Sequence, residues 1–116
     1  MWRRMSRTET SRAPAFAAPV FQALGCVTRL ELVTRLSDGQ EHSISALTDG
    51  LDLSRQAVTK HLQVLQSAGI VRSQRVGRES RFKIHPTPMR QAKDYLARVS
   101  DQWDAAIERL RAAVEE

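Results

Sequence analysis

The chain has 116 residues, of which 41% are hydrophobic and only 5% aromatic, so we expect a single domain with a modest core. The formal net charge of +5 and the sequence pI of about 10.3 favour a polyanionic partner such as nucleic acid. No apolar run is long enough to cross a bilayer and no signal peptide is apparent, so we expect no membrane partner.

The first residues differ in composition from the rest of the chain. Residues 1–14 are rich in arginine, serine and threonine, which predicts a flexible basic arm. We expect residues 15–116 to form one domain. The single cysteine, Cys26, excludes an internal disulfide and fits a reducing, cytoplasmic location.

Three helices are predicted before residue 50. Pro19 suits the first turn of the first helix, because its fixed φ is already helical. Thr28 and Glu31 have the spacing of a capping box, which predicts that a second helix begins at Thr28 and continues to about Ser37. Ser43 can cap a short third helix that directs Ile44 inward.

Residues 54–68 predict a fourth helix with two different faces. Ser54 is a good N-cap, and Gly69 can adopt the left-handed conformation that ends a helix. One face is apolar at spacings of three and four residues: Val58, Leu62 and Leu65. The other face has no acidic residue, and its side chains can hydrogen-bond to base edges: Arg55, Gln56, Thr59, Lys60 and Gln63. The same side chains also suit a solvated face, so the helix alone leaves both interpretations open.

A basic hairpin is predicted directly after this helix. Residues 70–76 and 80–85 have strand character, and Gly77 suits the tight turn between them. Three arginines can reach phosphates or the adjacent minor groove: Arg75, Arg78 and Arg81. A charged edge hairpin can instead serve only to prevent aggregation. A basic hairpin joined to a helix that fits a major groove favours DNA binding.

The last helix is predicted over about residues 88–114, with Thr87 as N-cap and Pro88 at the first position. Its apolar residues follow a heptad-like seam: Ala92, Leu96, Val99, Trp103, Ala106, Leu110 and Ala113. A small domain cannot easily cover so long a stripe, which predicts a second copy of the chain as partner. The expected dimer interface consists of Phe21, Leu96, Val99, Trp103 and Leu110. Packing of the stripe on the chain's own core is the alternative.

These motifs resemble the ArsR/SmtB family of bacterial winged-helix repressors over about residues 15–110. Residues 54–65 with 68–71 are similar to the family's recognition-helix signature, and Gly77-Arg78 with Phe82 is similar to its wing. Residues 21–25 with 28–30 are similar to its opening signature. The resemblance implies a mainly α fold with a small β-hairpin, a winged helix-turn-helix of five helices and a two-stranded wing. It also implies a homodimer that binds a near-palindromic operator in double-stranded DNA as a repressor.

The chain departs from the family's metal sensors. Residues 43–49 lack the Cys-x-Cys of the arsenic and soft-metal sensors, and the last helix lacks the histidine ligands of the zinc sensors. We therefore expect no metal and no cofactor, and the sequence leaves the effector unknown.

Two other functions are consistent with parts of the sequence. Cys26 can be a small apolar packing residue or the reactive thiol of a redox-responsive repressor. A winged helix can also serve as a protein-interaction module, although the polar face of residues 54–68 favours DNA. No nucleophile and base with catalytic spacing are apparent, so we expect no enzyme and no catalytic residues.

Overall fold

The computed structural model describes residue 15 and residues 17–115, so the predicted arm at residues 1–14 lies outside the described residues. The order of elements is α1 Ala17–Leu24, α2 Val27–Leu36, β1 His42–Ser43, α3 Ile44–Thr48, α4 Arg55–Ser67, β2 Val71–Val76, β3 Glu79–Ile84 and α5 Pro86–Glu115. This order confirms the predicted mainly helical, winged helix-turn-helix fold.

The core lies where α2, α3 and α4 meet the sheet. The three predicted apolar residues of α4, Val58, Leu62 and Leu65, are completely buried. They belong to one cluster with buried leucines and aromatic or branched residues of the neighbouring elements: Leu32, Leu36, Leu47, Ile70, Val71 and Phe82. Burying such side chains stabilises the fold by about 1.5–3 kcal/mol each. Because α4 buries this face, its opposite face is directed outward.

Both ends of α4 are capped as predicted. The Ser54 hydroxyl accepts a hydrogen bond from the backbone N–H of Ala57 at 3.1 Å. At the other end Gly69 has a φ of +79°, and its N–H donates to the carbonyl of Gln66. The N–H of Ile70 donates to the carbonyl of Leu65, which completes a Schellman motif. These caps define α4 as a rigid helix of 13 residues.

The sheet has three antiparallel strands in the order β1-β3-β2, one strand more than predicted. The extra strand, β1, has only two residues, and it pairs His42 with Phe82 and Ser43 with Arg81. Two residues are too few to show strand periodicity, so the sequence could not indicate it. The β2–β3 hairpin matches the prediction, with Gly77 at a φ of +63° in a two-residue turn between Val76 and Glu79.

The prediction that Thr28 caps α2 was wrong. The helix begins at Val27, and Cys26 occupies the N-cap position with an extended backbone (φ −145°, ψ 131°). The carbonyl of Cys26 accepts the first helical hydrogen bond, from the N–H of Leu30 at 2.9 Å. Thr28 consequently lies inside the first turn, where a capping hydroxyl has no role.

The predicted start of α5 was also wrong. The helix begins at Pro86 rather than after Thr87, because the fixed φ of Pro86 already suits a first helical position. Strand β3 ends at Ile84, so only His85 separates it from the helix. The N–H of His85 donates to the carbonyl of Ile70 at 2.8 Å. At 30 residues, α5 is about 45 Å long.

Two arginines of α2 connect it to the helices on either side. Arg29 donates from Nε to the carbonyl of Ala23, at the end of α1. Arg35 donates from Nη1 to the carbonyls of Leu47 and Asp49, at the end of α3. The last carbonyls of a helix have no partner within that helix, so each guanidinium supplies a donor that the helix itself does not provide.

Cys26 has an unusual environment at the start of α2. The thiol is half-buried rather than part of the buried core. The backbone N–H of Arg29, together with that of Thr28, lowers the pKa of the Cys26 thiol, although the sulfur makes no capping hydrogen bond of ordinary length. A helix N-terminus favours the thiolate, which agrees with the lowered pKa.

We expect Arg35→Met to lower the free energy of unfolding by about 1–3 kcal/mol, because two carbonyls lose their donor while the apolar stem is kept. Urea unfolding followed by circular dichroism measures the change. Arg90→Met, at an exposed position on α5, is the matched control and should change stability by less than ~0.5 kcal/mol. Equal stability of the two variants would contradict the capping role of Arg35.

We expect Cys26 to react with iodoacetamide with a pH midpoint below that of the same thiol in the urea-unfolded chain. The pKa is lowered in the folded protein, and the thiolate is the reacting form, so folding should speed alkylation near neutral pH. Cys26→Ser should abolish labelling. The same midpoint in folded and unfolded chains would show that the start of α2 does not stabilise the thiolate.

Candidate nucleic-acid interface

The outward side of α4 brings five of the predicted DNA-contacting residues together. Four are exposed and Thr59 is half-buried. Together with Ile44 of α3 they line one shallow, open depression of about 500 Å³. We call this surface the recognition face and define it as Arg55, Gln56, Thr59, Lys60 and Gln63 of α4 with Ile44 of α3. It carries two cationic groups and two amides, and no carboxylate.

Some polar side chains of α4 make hydrogen bonds within the chain, whereas others remain on the recognition face. The Thr59 hydroxyl donates to the carbonyl of Arg55 at 2.7 Å, and the Ser54 hydroxyl caps the helix. Gln66, one turn beyond Gln63, donates from Nε2 to the Ser73 hydroxyl at 3.1 Å and so connects α4 to the hairpin. Gln66 therefore positions the hairpin, while Gln63 remains on the recognition face.

The predicted wing arginines do not share one surface. Cross-strand partners lie on the same face of a sheet, and Arg75 pairs with Ser80 while Arg81 pairs with Gln74. Arg75 and Arg81 therefore lie on opposite faces of the hairpin. The exposed Arg78 lies in the turn between them. Arg81 also contacts Glu79, with 3.2 Å between Nε and Oε2, so part of its charge is compensated.

Two further cations of the hairpin were not among the predicted site residues. Arg72 and Lys83 are exposed and directly opposite each other in the β2–β3 register. Like charges in such a pair repel, which an approaching phosphate can relieve. The signal was present in the sequence, because both residues are cationic and lie within the two runs predicted to form the hairpin. The sequence did not indicate that Ile44 lies on the recognition face, because its position there depends on how α3 crosses α4.

The histidines and acidic residues are dispersed. His42, His61 and His85 lie on different elements, and within residues 17–115 no group of three or more histidine, cysteine, aspartate or glutamate side chains is arranged to hold a metal ion. His42 pairs with Asp38 at 2.8 Å, and the pKa of Asp38 is lowered by the backbone N–H of Gln40 and then by His42. Across the described helices, none is long and apolar enough to cross a membrane.

A long apolar stripe on α5 lies exposed. Ala92 is the only buried residue of the helix, whereas Leu96, Trp103 and Leu110 are 52%, 66% and 67% exposed. Ile107 and Val114, which the sequence seam did not include, lie on the same stripe at spacings of three and four residues. We define the α5 stripe by its members: Leu96, Val99, Trp103, Ile107, Leu110 and Val114.

Phe21 lies at the near end of this stripe. Its ring packs against Tyr95 of α5, with 6.0 Å between the ring centroids, and joins the edge of the core. The contact attaches the first half of α5 to α1. Phe21 is therefore half-buried within its own chain, next to the stripe rather than on it.

Comparisons with known proteins agree with this geometry. A family profile described as "Helix-turn-helix domain" matches residues 28–74. The chain is 40% identical over 65 residues to the uncharacterized HTH-type transcriptional regulator YuzN of Bacillus subtilis (strain 168), covering 51% of this chain and 71% of YuzN. It is 31% identical over 84 residues to the HTH-type transcriptional regulator NmtR of Mycobacterium tuberculosis (strain ATCC 25618 / H37Rv), covering 72% of this chain and 69% of NmtR.

A solved structure is similar to this chain in fold as well as in sequence. An ArsR-like transcriptional regulator from Rhodococcus sp. RHA1 superposes with a TM-score of 0.71 at 37% identity, covering 84% of this chain and 92% of that chain. The profile match at residues 28–74 includes α2, α3 and α4, and the superposition extends over most of the chain. The chain belongs to the ArsR/SmtB family of winged-helix proteins, which are DNA-binding transcriptional regulators rather than enzymes.

Proposed function

We propose that the protein is a homodimeric repressor that binds an inverted-repeat operator, with α4 in the major groove and the β2–β3 wing on the adjacent backbone or minor groove. The observation that carries this proposal is the recognition face: cationic, amide and apolar groups on the outward side of a rigid, capped helix, without a carboxylate. Such groups match the donors, acceptors and methyl groups of base edges.

The side chains divide into two groups by position. Ser54 and Arg55, at the first turn of α4, are suited to the phosphate backbone, since helix N-termini and guanidinium groups favour anions. The base edges are assigned to four further residues of α4: Gln56, Thr59, Lys60 and Gln63. The wing contributes phosphate or minor-groove contacts through Arg75, Arg78 and Arg81.

The α5 stripe supports the dimer. An exposed apolar stripe along most of a helix about 45 Å long is the kind of surface that a symmetry mate covers in a two-fold dimer. Trp103, at 66% exposure in the middle of the stripe, is the proposed anchor, with Leu96, Val99, Leu110 and Phe21 around it. Two-fold symmetry then places two α4 helices on successive major grooves, about 34 Å apart.

The proposed domain organisation follows from these roles. Residues 15–116 form one DNA-binding domain, and α5 serves as its dimerisation helix.

A thiol-responsive form of the same regulator is the second candidate, favoured by the position of Cys26. Its thiol has a lowered pKa at the start of α2. Three residues later, Arg29 Nη1 lies 3.3 Å from Nδ1 of His61 on α4, so the start of α2 is in contact with the recognition helix. Loss of operator binding on oxidation of the wild-type protein, but not of Cys26→Ser, would support this form.

We expect Gln56→Ala and Arg78→Ala to weaken DNA binding in different ways. The operator is first identified by selection from random duplexes, and affinities are then measured by fluorescence anisotropy at several salt concentrations. Gln56→Ala should lose about 1–3 kcal/mol of discrimination at one base pair of each half-site. Arg78→Ala should weaken all sequences alike and reduce the salt slope by about one for each phosphate that the variant no longer neutralises.

Arg90→Ala, on the outer side of α5, is the control for loss of one positive charge. Unchanged sequence preference in Gln56→Ala would contradict base reading by the recognition face. A salt slope in Arg78→Ala equal to that of the wild type would remove the wing tip from the phosphate contacts.

We expect Trp103→Glu to convert the dimer to a monomer at micromolar concentration, because the substitution places a charge in the middle of an apolar interface. Sedimentation equilibrium measures the mass, and circular dichroism confirms that the helices remain. Gln102→Glu introduces the same charge beside the stripe and should leave the dimer intact. A wild-type chain that sediments as a monomer would overturn the proposed dimer.

A further inference from the structure

The recognition face contains one apolar spot within its polar rim. Of the residues that line the depression, Ile44 and Thr59 are half-buried whereas the other four are exposed, so we take this pair as its floor. Ile44 comes from the first turn of α3 and Thr59 from the second turn of α4. The floor therefore forms only because α3 and α4 cross at this point. We call this pair the methyl notch.

The chemistry of the notch is decided by the Thr59 hydroxyl. That hydroxyl donates to the carbonyl of Arg55 at 2.7 Å, so its hydrogen is already used within α4. The hydroxyl oxygen can still accept a hydrogen bond, but the apolar group that Thr59 can offer a base is its γ-methyl, in the same depression as the side chain of Ile44. Two apolar groups at the bottom of a polar depression favour a small apolar group on the ligand.

We infer that the methyl notch receives the 5-methyl group of a thymine, and that Ile44 and Thr59 are specificity-determining residues of the operator. This inference rests on the proposed function. In the major groove, thymine is the one standard base that presents a methyl group. The amides of Gln56 and Gln63 on the rim suit neighbouring adenines, whose N6 and N7 atoms they can pair with in bidentate fashion.

The contribution of one methyl group sets the size of the effect. Burying a CH₂ or CH₃ group stabilises a complex by about 0.8 kcal/mol, which is about fourfold in affinity. A two-fold operator contains the contact twice, so removing both methyl groups should weaken binding about fifteenfold. A change of this size is readily measured.

The test uses the full chain and the operator obtained by selection. Thymines are replaced by deoxyuridine in symmetric pairs, one pair at a time, because uracil keeps every hydrogen-bonding group of thymine and lacks only the methyl. We expect one pair of replacements to weaken binding of the wild-type protein about fifteenfold. Replacements at the other positions should have little effect.

Two variants of Thr59 assign the methyl contact to the notch. Thr59→Ser keeps the hydroxyl and removes the methyl, so it should bind the thymine operator more weakly and show no further loss with uracil. Thr59→Val keeps a methyl and removes the hydroxyl, so it should retain the sensitivity to uracil. Ile44→Val, which shortens the other wall of the notch, should reduce that sensitivity.

The outcomes separate this inference from the proposed function. Sequence-specific binding with no uracil-sensitive position overturns the methyl notch and leaves the repressor proposal standing. Equal uracil sensitivity in Thr59→Ser and in the wild type also overturns it, because the methyl is then read by other residues. A selection that enriches no inverted repeat overturns the proposed function and the notch together.

Discussion

The burial of three side chains determines how α4 is presented to DNA. Val58, Leu62 and Leu65 have no exposed surface, and their position against α2 and the sheet sets the rotation of α4 about its own axis. A rotation by one residue, about 100°, would bury Thr59 and expose an aliphatic side chain. The identity of the outward residues is therefore a result of core packing, and a close-packed core allows little adjustment.

The sequence predicted those parts of the fold that depend on local chemistry. Ser54 and Gly69 bound α4 as expected, because capping hydroxyls and left-handed glycines act within a few residues. The prediction at Thr28 was wrong although its capping-box partner is present in the sequence, because the N-cap position of α2 is occupied by Cys26. Strand β1 and the place of Ile44 on the recognition face depend on contacts between distant segments, which no local pattern reports.

Charge and register together explain the wing. Composition alone indicated a cationic hairpin, but only the cross-strand pairing shows that Arg75 and Arg81 face opposite ways and that Arg72 faces Lys83. A hairpin that is cationic on both faces and at its turn can contact phosphates on either side of a groove. The hydrogen bond from Gln66 to Ser73 connects this hairpin to α4.

The junction at Gly69 and Ile70 joins three parts of the molecule within two residues. Here α4 ends, β2 begins, and the carbonyl of Ile70 accepts from His85, the residue before α5. A Cβ at Gly69 would lie 3.7 Å from the Pro88 ring, so α5 starts in contact range of the end of α4. In the proposed dimer, a change in the tilt of α5 would therefore move the end of α4 and the start of β2 with it, because these segments meet within two residues.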